Sequence, residues 1–405
     1  MKILVICQYY YPEPFRISDI CEALVKKGHN VTVLTGLPNY PEGRVLNNYR
    51  HGKKRNEVLN DVKIIRCFEV GRGKSKLKLF LNYFSYTVSA TLKVLFMKEE
   101  FDVVLVNQLS PIMMGIPAIA YKKKYHKKIL LYCLDLWPDS LAAGGIKKGT
   151  SIYKLFYKIS KWIYKSADLI LVTSSMFEDY FKDTLEIDTF KVKHLPQYAE
   201  DLFIESEKYI SLEEAVTASE ARIYNFVFAG NIGDMQSVAT IVRAANELRD
   251  FSNIVFHIVG DGSKLEECKK LAYELSLENV LFYGRRAVND MPQFYRMADA
   301  MLITLKNNKF LSYTLPGKVQ SYMAAGKAII GAINGETRCV IEDADCGFSC
   351  KAEDYKGLSE LIIKFCNTDR KEQMAINAHK FYLENYSKEK FMMVLENALV
   401  NLEGK

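Results

Sequence analysis

The chain has 405 residues, 49% of them hydrophobic, which is enough for two globular domains and excludes a disordered or fibrous protein. Residues 1–200 carry a net charge of +12 and the remainder a net charge of −5, within a total of +7. The basic half predicts contact with an anionic surface or ligand, unless its charges form an ordinary solvated face.

The N-terminus and the cysteines indicate a cytoplasmic protein. The run from Lys2 to Cys7 has the pattern of a strand and not of a secretory leader. The nine cysteines form no CxxC pairs and no clusters with histidine, so we expect reduced thiols and no metal site. The longest apolar stretch, 79–97, is interrupted by polar residues, which disfavours a membrane-spanning helix.

Buried-strand patterns alternate with helix-length segments along the whole chain. The first predicted strands are Ile3–Cys7, Val31–Thr35, Val62–Cys67, Val103–Val106, Ile129–Leu134, Leu169–Val172 and Val192–Leu195. A second series comprises Phe226–Ala229, Ile254–Val259, Val280–Phe282, Ala300–Ile303 and Ala328–Gly331. Strands that alternate with helices form parallel sheets, so we predict an α/β protein with two doubly wound, Rossmann-like domains facing across a cleft.

The predicted domain boundaries follow from these two series. The first domain is predicted to cover residues 1–204 and the second residues 222–385. The polar stretch 205–221 has mixed charge and weak periodicity, which is typical of a linker. Residues 386–405 are predicted to form a final helix that could pack back on the N-terminal domain.

Glycine-rich or basic turns follow successive strands of the predicted second domain. They are Gly230-Asn231-Ile232-Gly233, Gly260-Asp261-Gly262 and Gly284-Arg285-Arg286. Glycine lets the backbone approach a phosphate closely, and the carboxyl ends of parallel strands meet at one edge of a sheet. Each turn by itself is equally well a tight connection, but together they predict an anion site.

The segment Ser312–Lys327 is the most informative part of the chain. It has the pattern of a tight loop, a helix started by Pro316 and a stop at Gly326. Such a helix start offers backbone amides to an anion, here those of Tyr313, Thr314 and Leu315. Lys318, one turn in, is either an exposed helix lysine or a cation that meets a bound anion.

The order of these motifs resembles the donor domain of GT-B glycosyltransferases of family 4. The first half resembles the acceptor domain of the same family. It does so at Tyr10-Tyr11-Pro12-Glu13, Lys27–Gly36, Pro38-Asn39-Tyr40-Pro41 and Asp135-Leu136-Trp137-Pro138-Asp139-Ser140. The resemblance covers essentially the whole chain, and its most similar branch resembles bacterial fucosamine transferases of O-antigen, capsule and colanic acid assembly.

The sequence departs from the family pattern at several positions. Many members carry two glutamates in an E-x7-E pattern, where this chain has Tyr313 and Ser321. The usual Arg and Lys of the first glycine-rich loop are replaced by Asn231 and Gln236, and the histidine before Asp135 by Leu134. We interpret these changes as a rewired donor site, and loss of activity as the alternative.

The resemblance implies a role for each candidate residue. The donor-binding residues would be Gly230, Asn231, Gly233, Gly260, Asp261, Arg285, Arg286, Lys306, Tyr313, Thr314, Leu315, Ser321, Tyr322 and Glu336. The acceptor-binding residues would be Glu13, Arg16, Asn39, Tyr40 and Trp137. Lys318 would stabilise the leaving diphosphate and Asp135 would orient the acceptor hydroxyl, unless Asp135 only caps a helix or turn. No metal and no cofactor is expected.

A basic and aromatic segment, residues 72–97, predicts attachment to the inner face of the plasma membrane. Its cations are Arg72, Lys74, Lys76 and Lys78, and its apolar residues are Leu79, Phe80, Leu81, Tyr83, Phe84 and Tyr86. No nucleic-acid-binding motif accompanies these cations, so nucleic acid is not expected as a partner.

The resemblance implies a retaining transferase acting from a UDP-sugar, such as a UDP-N-acetylfucosamine, on a saccharide linked to polyprenyl diphosphate. Two alternatives stay open. One is a sugar-nucleotide epimerase of the same fold, which would need carboxylates and a histidine in the site. The other is a non-catalytic module that binds sugar nucleotides or assembly partners.

Overall fold

The computed structural model describes residues 1–73, 75–143, 145–204 and 222–404. The chain divides into two compact units, one made of Met1–Leu195 with Met392–Lys405 and the other of Pro196–Phe391. Each is built on a sheet of mainly parallel strands that alternate with helices, which confirms the predicted α/β class.

The first unit contains an eight-stranded sheet among its described residues. Its strands are β1 (Lys2–Ile6), β2 (Asn30–Thr35), β3 (Asn56–Leu59), β4 (Val62–Arg66), β5 (Val103–Gln108), β6 (Lys128–Cys133), β7 (Leu169–Val172) and β8 (Val192–His194). Their order is β3-β4-β2-β1-β5-β6-β7-β8, and β3 alone of these is antiparallel to its neighbour. The sequence did not predict β3, a short edge strand joined to β4 by a tight turn with positive φ at Asn60 and Asp61.

The first unit's helices join these strands. They are α1 (Ile17–Lys26), α2 (Lys76–Phe96), α3 (Ile116–Tyr125), α4 (Asp139–Ala143), α5 (Ser151–Ser166) and α6 (Phe177–Asp179). The Ser75 hydroxyl accepts from the Lys78 amide and starts α2. On α2, Tyr86 is buried and donates from its hydroxyl to Cys7 O, so the expectation that it belongs to an interfacial face was wrong.

The second unit contains a six-stranded parallel sheet among its described residues. Its strands are β9 (Tyr224–Ala229), β10 (Ile254–Val259), β11 (Val280–Gly284), β12 (Ala300–Thr304), β13 (Ala328–Ala332) and β14 (Gly347–Cys350), in the order β11-β10-β9-β12-β13-β14. The sequence did not predict β14, which is only half-buried and short. The order reverses direction between β9 and β12, where ligands bind in open α/β sheets.

The helices that follow residue 195 belong to the second unit, apart from most of the last one, which lies in the first unit from Met392 onward. They are α7 (Asp201–Ile204), α8 (Val238–Glu247), α9 (Leu265–Glu274), α10 (Met291–Met297), α11 (Lys309–Ser312), α12 (Gly317–Ala324), α13 (Glu336–Asp343), α14 (Tyr355–Asn367), α15 (Lys371–Tyr386) and α16 (Lys388–Glu403). Helices α8 and α14 cover one face of the sheet. Helices α12 and α15 contribute buried side chains to the core on the other face of the sheet.

The domain boundary lies at Leu195 and not at residue 204. Residues 196–204 belong to the second unit because Ala199 and Phe203 are buried in its core, and the Ala199 amide donates to the Tyr382 hydroxyl at 3.2 Å. The predicted linker, 205–221, lies outside the described residues. The end of α16 belongs to the first unit, where Glu396 accepts from Lys27 Nζ at 2.7 Å.

All nine cysteines are free thiols, as the sequence predicts. None of the helices in the described parts of the chain is both long enough and apolar enough to span a bilayer.

Candidate active site

Two glycine turns meet at the carboxyl edge of the second sheet. Gly230 follows β9 with φ +145° and Gly260 follows β10 with φ +144°, and a side chain is strained at both positions. A Cβ on Gly260 would lie 1.8 Å from Gly230 O, so the two turns touch through their backbones. This close approach confirms that the glycine-rich turns converge at one edge of the sheet.

The side chain of Lys318, in the first turn of α12, extends to the place where the two glycine turns meet. Its Nζ lies 3.9 Å from the centre of the Phe228 ring, and a Cβ on Gly230 would lie 2.9 Å from it. The Nζ is buried and has no hydrogen-bond partner among the described residues. Burial lowers the pKa of Lys318 to about 7. The expectation of an exposed helix lysine was therefore wrong.

A buried amine without a partner is costly, and an anion beside it would remove much of that cost. Helix α12 begins at Gly317, and the amides of Gly317 and Lys318 have no acceptor within the helix, whereas the Val319 amide donates to Pro316 O at 2.9 Å. The glycine turns, which have no side chains to block a ligand, lie next to the same amine. These three features together suit a phosphate or diphosphate, since the helix start and the amine both favour negative charge.

The three amides predicted to bind the anion are partly used by the loop before α12. The Tyr313 amide donates to Phe310 O at 3.3 Å and the Thr314 amide to Leu311 O at 3.1 Å, while the Leu315 side chain is buried in the core. That loop is a compact turn, and the amides of Gly317 and Lys318 at the start of α12 are donors that the sequence prediction did not name.

The other predicted cations differ in how they are placed. Lys306 Nζ pairs with Asp234 at 2.7 Å, and this hydrogen bond lowers the pKa of Asp234. Arg285 and Arg286 are exposed just beyond β11. Lys306 is thus already neutralised by a carboxylate, whereas Lys318 is not.

The polar residues of the first two turns bond locally. Asn231 Nδ2 donates to Gln236 Oε1 at 3.3 Å, across Gly233. Asp261 is exposed and accepts from the Gly262 amide at 2.7 Å. The family's charged pair is therefore replaced here by an amide pair.

Two residues predicted to bind ribose or sugar have structural contacts. The Tyr322 hydroxyl is buried, donates to Ala229 O at 3.0 Å and accepts from the Ala229 amide at 3.2 Å. Ser321 donates to Gly317 O within its own helix at 3.3 Å. Tyr322 anchors the end of β9, which holds the following Gly230 turn in place.

Glu336 starts α13 directly after Gly335, and it is buried. Gly335 has φ +70°, and a Cβ there would lie 2.0 Å from Ser312 O, so the backbone of this turn presses on the loop before α12. Thr337 donates to Thr314 O at 3.2 Å across the same contact. Glu336 therefore lies beside the predicted donor loop, and its role as a donor contact stays a prediction.

In the first unit, Asp135 follows the end of β6. Its carboxylate accepts from the hydroxyls of Ser110 and Ser140. Burial raises the pKa of Asp135, and the hydroxyl bonds oppose that shift. The Trp137 ring is buried and donates from Nε1 to Ser110 at 2.9 Å, and its side chain also helps to lower the pKa of Asp135. Its contact with the acceptor stays a prediction.

Glu13 and Asn39 brace loops of the first unit. The Glu13 carboxylate accepts from the amides of Asn39 and Tyr40 at 2.8 and 2.7 Å, and burial raises its pKa to about 7. Asn39 is fully buried, and its Oδ1 accepts from the Arg72 amide at 3.0 Å. The polar atoms of Glu13 and Asn39 are thus hydrogen-bonded within the first unit. The Tyr40 ring is exposed, and Arg16 directly precedes α1.

The sequence did not predict a buried carboxylate at Glu69, beyond the end of β4. It accepts from Gln8 Nε2 at 2.7 Å and from Asn82 Nδ2 at 2.5 Å, and burial raises its pKa well above the usual range. A Cβ on Gly36 would lie 1.7 Å from Glu69 Oε2, so only glycine fits there. The signal in the sequence was Asn82, a polar residue within an apolar helix.

Tyr83 and Arg72 were predicted only as membrane contacts, but Tyr83 also lies within electrostatic reach of both Arg72 and Asp135. Burial raises the pKa of Tyr83, the charge of Arg72 lowers it and that of Asp135 raises it. The hydroxyl of Tyr9 is buried without a hydrogen-bond partner in the described part of the chain. These polar groups make the edge around Asp135 a candidate acceptor site.

Comparison with known families agrees with both units. The model described as Glycosyltransferase Family 4 matches residues 16–197, and that described as Glycosyl transferases group 1 matches residues 214–381. The chain is a family 4 glycosyltransferase.

Two curated relatives of this glycosyltransferase are bacterial. It is 25% identical over 266 residues to the probable glycosyltransferase WbjE of Pseudomonas aeruginosa, a match that spans 64% of each chain. It is 24% identical over 346 residues to WcaI of Escherichia coli strain K12, a putative colanic acid biosynthesis glycosyl transferase, with 82% of this chain and 83% of that one covered.

Solved structures show the same GT-B fold. Sucrose-phosphate synthase from Thermosynechococcus elongatus superimposes with a TM-score of 0.74 at 15% identity, over 99% of this chain and 98% of that one. Anabaena HepE in complex with UDP-glucose gives 0.68 at 14% identity, over 99% and 100%. At these identities the likeness concerns the fold.

Proposed function

We propose that this glycosyltransferase moves a sugar, with retention of configuration, from a UDP-sugar to a saccharide carried on polyprenyl diphosphate, in the synthesis of a surface polysaccharide. An N-acetylated deoxyhexosamine such as N-acetylfucosamine is the proposed sugar. The observation that carries the proposal is the buried amine of Lys318, which has no hydrogen-bond partner among the described residues and lies beside two glycine turns and a helix start.

On the donor side, the second unit binds the diphosphate. Breaking the bond between the sugar and UDP adds negative charge to the leaving phosphate. A preorganised donor aimed at such charge typically contributes about 3–4 kcal/mol to catalysis. Lys318 and the first amides of α12 supply that donor without any change in the fold. UDP is proposed as the nucleotide because HepE, of the same fold, is described in complex with UDP-glucose.

On the acceptor side, Asp135 orients the attacking hydroxyl. Its two serine contacts fix the carboxylate, and its raised pKa makes it a better proton acceptor than an ordinary exposed aspartate. In the transfer the sugar–phosphate bond breaks and a bond to the acceptor oxygen forms on the same face. The hydroxyl proton passes to the departing phosphate or to Asp135.

The first unit attaches to an anionic bilayer through α2. An apolar stripe with exposed side chains runs the whole length of this helix: Leu77, Phe80, Leu81, Phe84, Val88, Leu92, Leu95 and Phe96. Lys76 and Lys78 lie at its start, and each cation near an anionic surface contributes about 1 kcal/mol. Lys74, also predicted to take part, lies outside the described residues.

Calorimetry with UDP in EDTA, followed by a transfer assay with a radiolabelled UDP-sugar, tests the function. We expect UDP to bind in the absence of metal and sugar to appear on a lipid-linked acceptor. Across the part of the chain that the structure describes, no group of three or more potential metal ligands is present. Binding that vanishes in EDTA contradicts the metal-free site.

The same assay separates the alternatives. UDP binding with no turnover on any acceptor would indicate a non-catalytic module, in keeping with the missing glutamates at Tyr313 and Ser321. Conversion of the UDP-sugar to an epimer would indicate an epimerase.

Membrane attachment is tested by sedimentation with anionic liposomes. It should weaken in the Lys76→Glu/Lys78→Glu variant and as salt rises, since the Debye length falls to ~3 Å at 1 M. Equal binding by that variant would contradict the electrostatic part.

A further inference from the structure

A cavity of about 490 Å³ opens in the first unit beside the start of α2. It is lined by Glu42, Gly43, Arg44, Val45, Val70, Gly71, Gly73 and Lys78. Its two loops are held together through backbone, because the Gly73 amide donates to Gly43 O at 2.7 Å. A Cβ on Gly71 would lie 2.9 Å from the same oxygen. Glycine thus keeps the loops close while leaving the space between them open.

Positive charge surrounds this cavity. Arg44 and Lys78 belong to its lining and are exposed, and Glu42 is the one acidic residue in the lining. Two more cations, Arg72 and Lys76, are neighbours of lining residues in the sequence. Helix α2 has no acidic residue in its first turn, so the lysines there lie at the positive end of the helix dipole without compensation. An anion bound in the cavity would relieve this repulsion.

The exposed stripe of α2 begins at the cavity. Leu77, which precedes Lys78, is 69% exposed, and Phe80 and Phe84 are 51% and 52% exposed. The two phenylalanine rings stack with centroids 6.1 Å apart and form a continuous apolar surface one turn from Lys78. A free phosphate would contact the cavity but not the apolar surface, and a bilayer would contact the apolar surface but not the cavity. An amphiphile with a phosphate end and a long hydrocarbon chain would contact both.

We infer that the cavity between residues 42–45 and 70–73 binds the diphosphate of a polyprenyl diphosphate whose hydrocarbon chain lies along the exposed stripe of α2. Arg44 and Lys78 contact the phosphate oxygens, as Arg and Lys do in charge-assisted hydrogen bonds. The inference rests on the proposed function for the nature of the acceptor, and it adds the place where the acceptor is held.

This placement orients the acceptor relative to Asp135. Tyr83, on the same helix as the stripe, lies within electrostatic reach of both Arg72 and Asp135. Arg72 in turn stacks over the exposed Tyr40 ring, with its guanidinium 6.0 Å from the ring centre. A saccharide attached to the diphosphate can therefore extend from the cavity along Arg72 and Tyr83 toward Asp135, all within the first unit.

The test measures binding of geranylgeranyl diphosphate, below its micelle concentration and without vesicles, to the full chain. Geranylgeraniol and inorganic pyrophosphate are the matched ligands that carry only one half of the probe. We expect the diphosphate to bind at least tenfold more tightly than either, and the Arg44→Ala/Lys78→Ala variant to lose at least tenfold. Lys356→Ala, an exposed lysine of the second unit, is the matched control.

Three outcomes overturn the inference. They are unchanged affinity in the Arg44→Ala/Lys78→Ala variant, pyrophosphate binding as tightly as geranylgeranyl diphosphate, and geranylgeraniol binding equally well. The Phe80→Ser/Phe84→Ser variant checks the stripe: it should weaken the prenyl probe and leave pyrophosphate unaffected, and the reverse result contradicts the proposed path of the chain. The melting temperature of each variant, and rescue of Lys78→Ala by Lys78→Arg, show whether a loss arises from misfolding.

UDP affinity keeps this inference separate from the proposed function. The cavity variants should bind UDP as the unmodified protein does, because the donor site belongs to the second unit. If UDP does not bind the unmodified protein while geranylgeranyl diphosphate does, the proposed function fails and the lipid site stands. If UDP binds and transfer proceeds without prenyl diphosphate binding at this cavity, the inference fails alone.

Discussion

Lys318 in the second unit and Asp135 in the first are both buried ionisable groups at a carboxyl edge of a parallel sheet, but they differ in their partners. Lys318 Nζ has no hydrogen-bond partner among the described residues. The Asp135 carboxylate has a serine hydroxyl on each side. The lysine is therefore in a state that a ligand would improve, whereas the aspartate is already held in one orientation.

The same physical cause acts on both groups. Burial disfavours the charged form, which lowers the pKa of the lysine and raises that of the aspartate. The serines partly compensate the aspartate, whereas the lysine has the face of the Phe228 ring and no hydrogen bond among the described residues. The comparison teaches that a missing partner indicates where a ligand binds, and a complete set of partners indicates where a side chain is positioned. Both statements can be tested by mutation.

The largest effect is expected for Lys318→Met, which keeps length and removes the charge. Transfer should fall about 100- to 1000-fold, because a lost donor to the leaving phosphate typically costs about 3–4 kcal/mol. Stability at pH 7 should change little, because the amine makes no hydrogen bond among the described residues and a methionine also packs against the Phe228 ring. Initial rates and thermal unfolding measure the two effects, with Lys356→Met as the control. A rate within about threefold of the unmodified protein would show that Lys318 does not meet the diphosphate.

Asp135→Asn is expected to reduce transfer by about 100-fold, in the range typical of a lost general base. UDP affinity should stay the same, because the residue acts on the acceptor. Ser140→Ala is the comparison variant: it removes one hydroxyl contact, so it should lower the rate less than Asp135→Asn does. If Asp135→Asn transfers at the normal rate, the carboxylate is only a brace between its two serines.

The pH dependence of UDP binding is a smaller effect, and it distinguishes Lys318 from Asp135. In the free protein the pKa of Lys318 is about 7, and a neighbouring diphosphate should raise it. At pH 8 the free amine is mostly neutral and the bound one charged, so binding takes up close to one proton. At pH 6 the amine is charged in both states and uptake disappears.

Calorimetry in buffers of different ionisation enthalpy measures this uptake. UDP affinity should fall up to about tenfold per pH unit above pH 7. The Lys318→Met variant should show neither the uptake nor the fall. Proton uptake that persists in that variant would assign the titration to another group.

Tyr322→Phe is expected to have the smallest effect. The hydroxyl anchors Ala229, so its removal should lower the free energy of unfolding by about 1 kcal/mol. UDP affinity should change less than threefold, because the hydroxyl is buried and occupied. Denaturant unfolding and UDP calorimetry on one preparation provide both values. A large loss of UDP affinity with normal stability would indicate that Tyr322 contacts the ligand.

The sequence by itself determined the fold class and the position of the glycine turns. Strands such as Leu169–Val172 are continuous apolar runs, and their alternation with helices specifies a parallel sheet through local pattern alone. The edge strands β3 and β14 were missed because they are short and only partly buried, so their pairing depends on neighbours distant in the chain.

The tertiary structure alone decided which polar side chains are occupied. Tyr322, Asn39 and Glu13 carry the polar groups of a binding site in the sequence, but the structure gives them backbone partners from other segments. The sequence left open whether Lys318 is an exposed helix lysine or a cation for a bound anion, and packing against Phe228 and Gly230 buried its amine. The hydrogen-bond partners and the burial of a side chain depend on contacts between segments far apart in the chain. A local pattern of residues therefore cannot predict them.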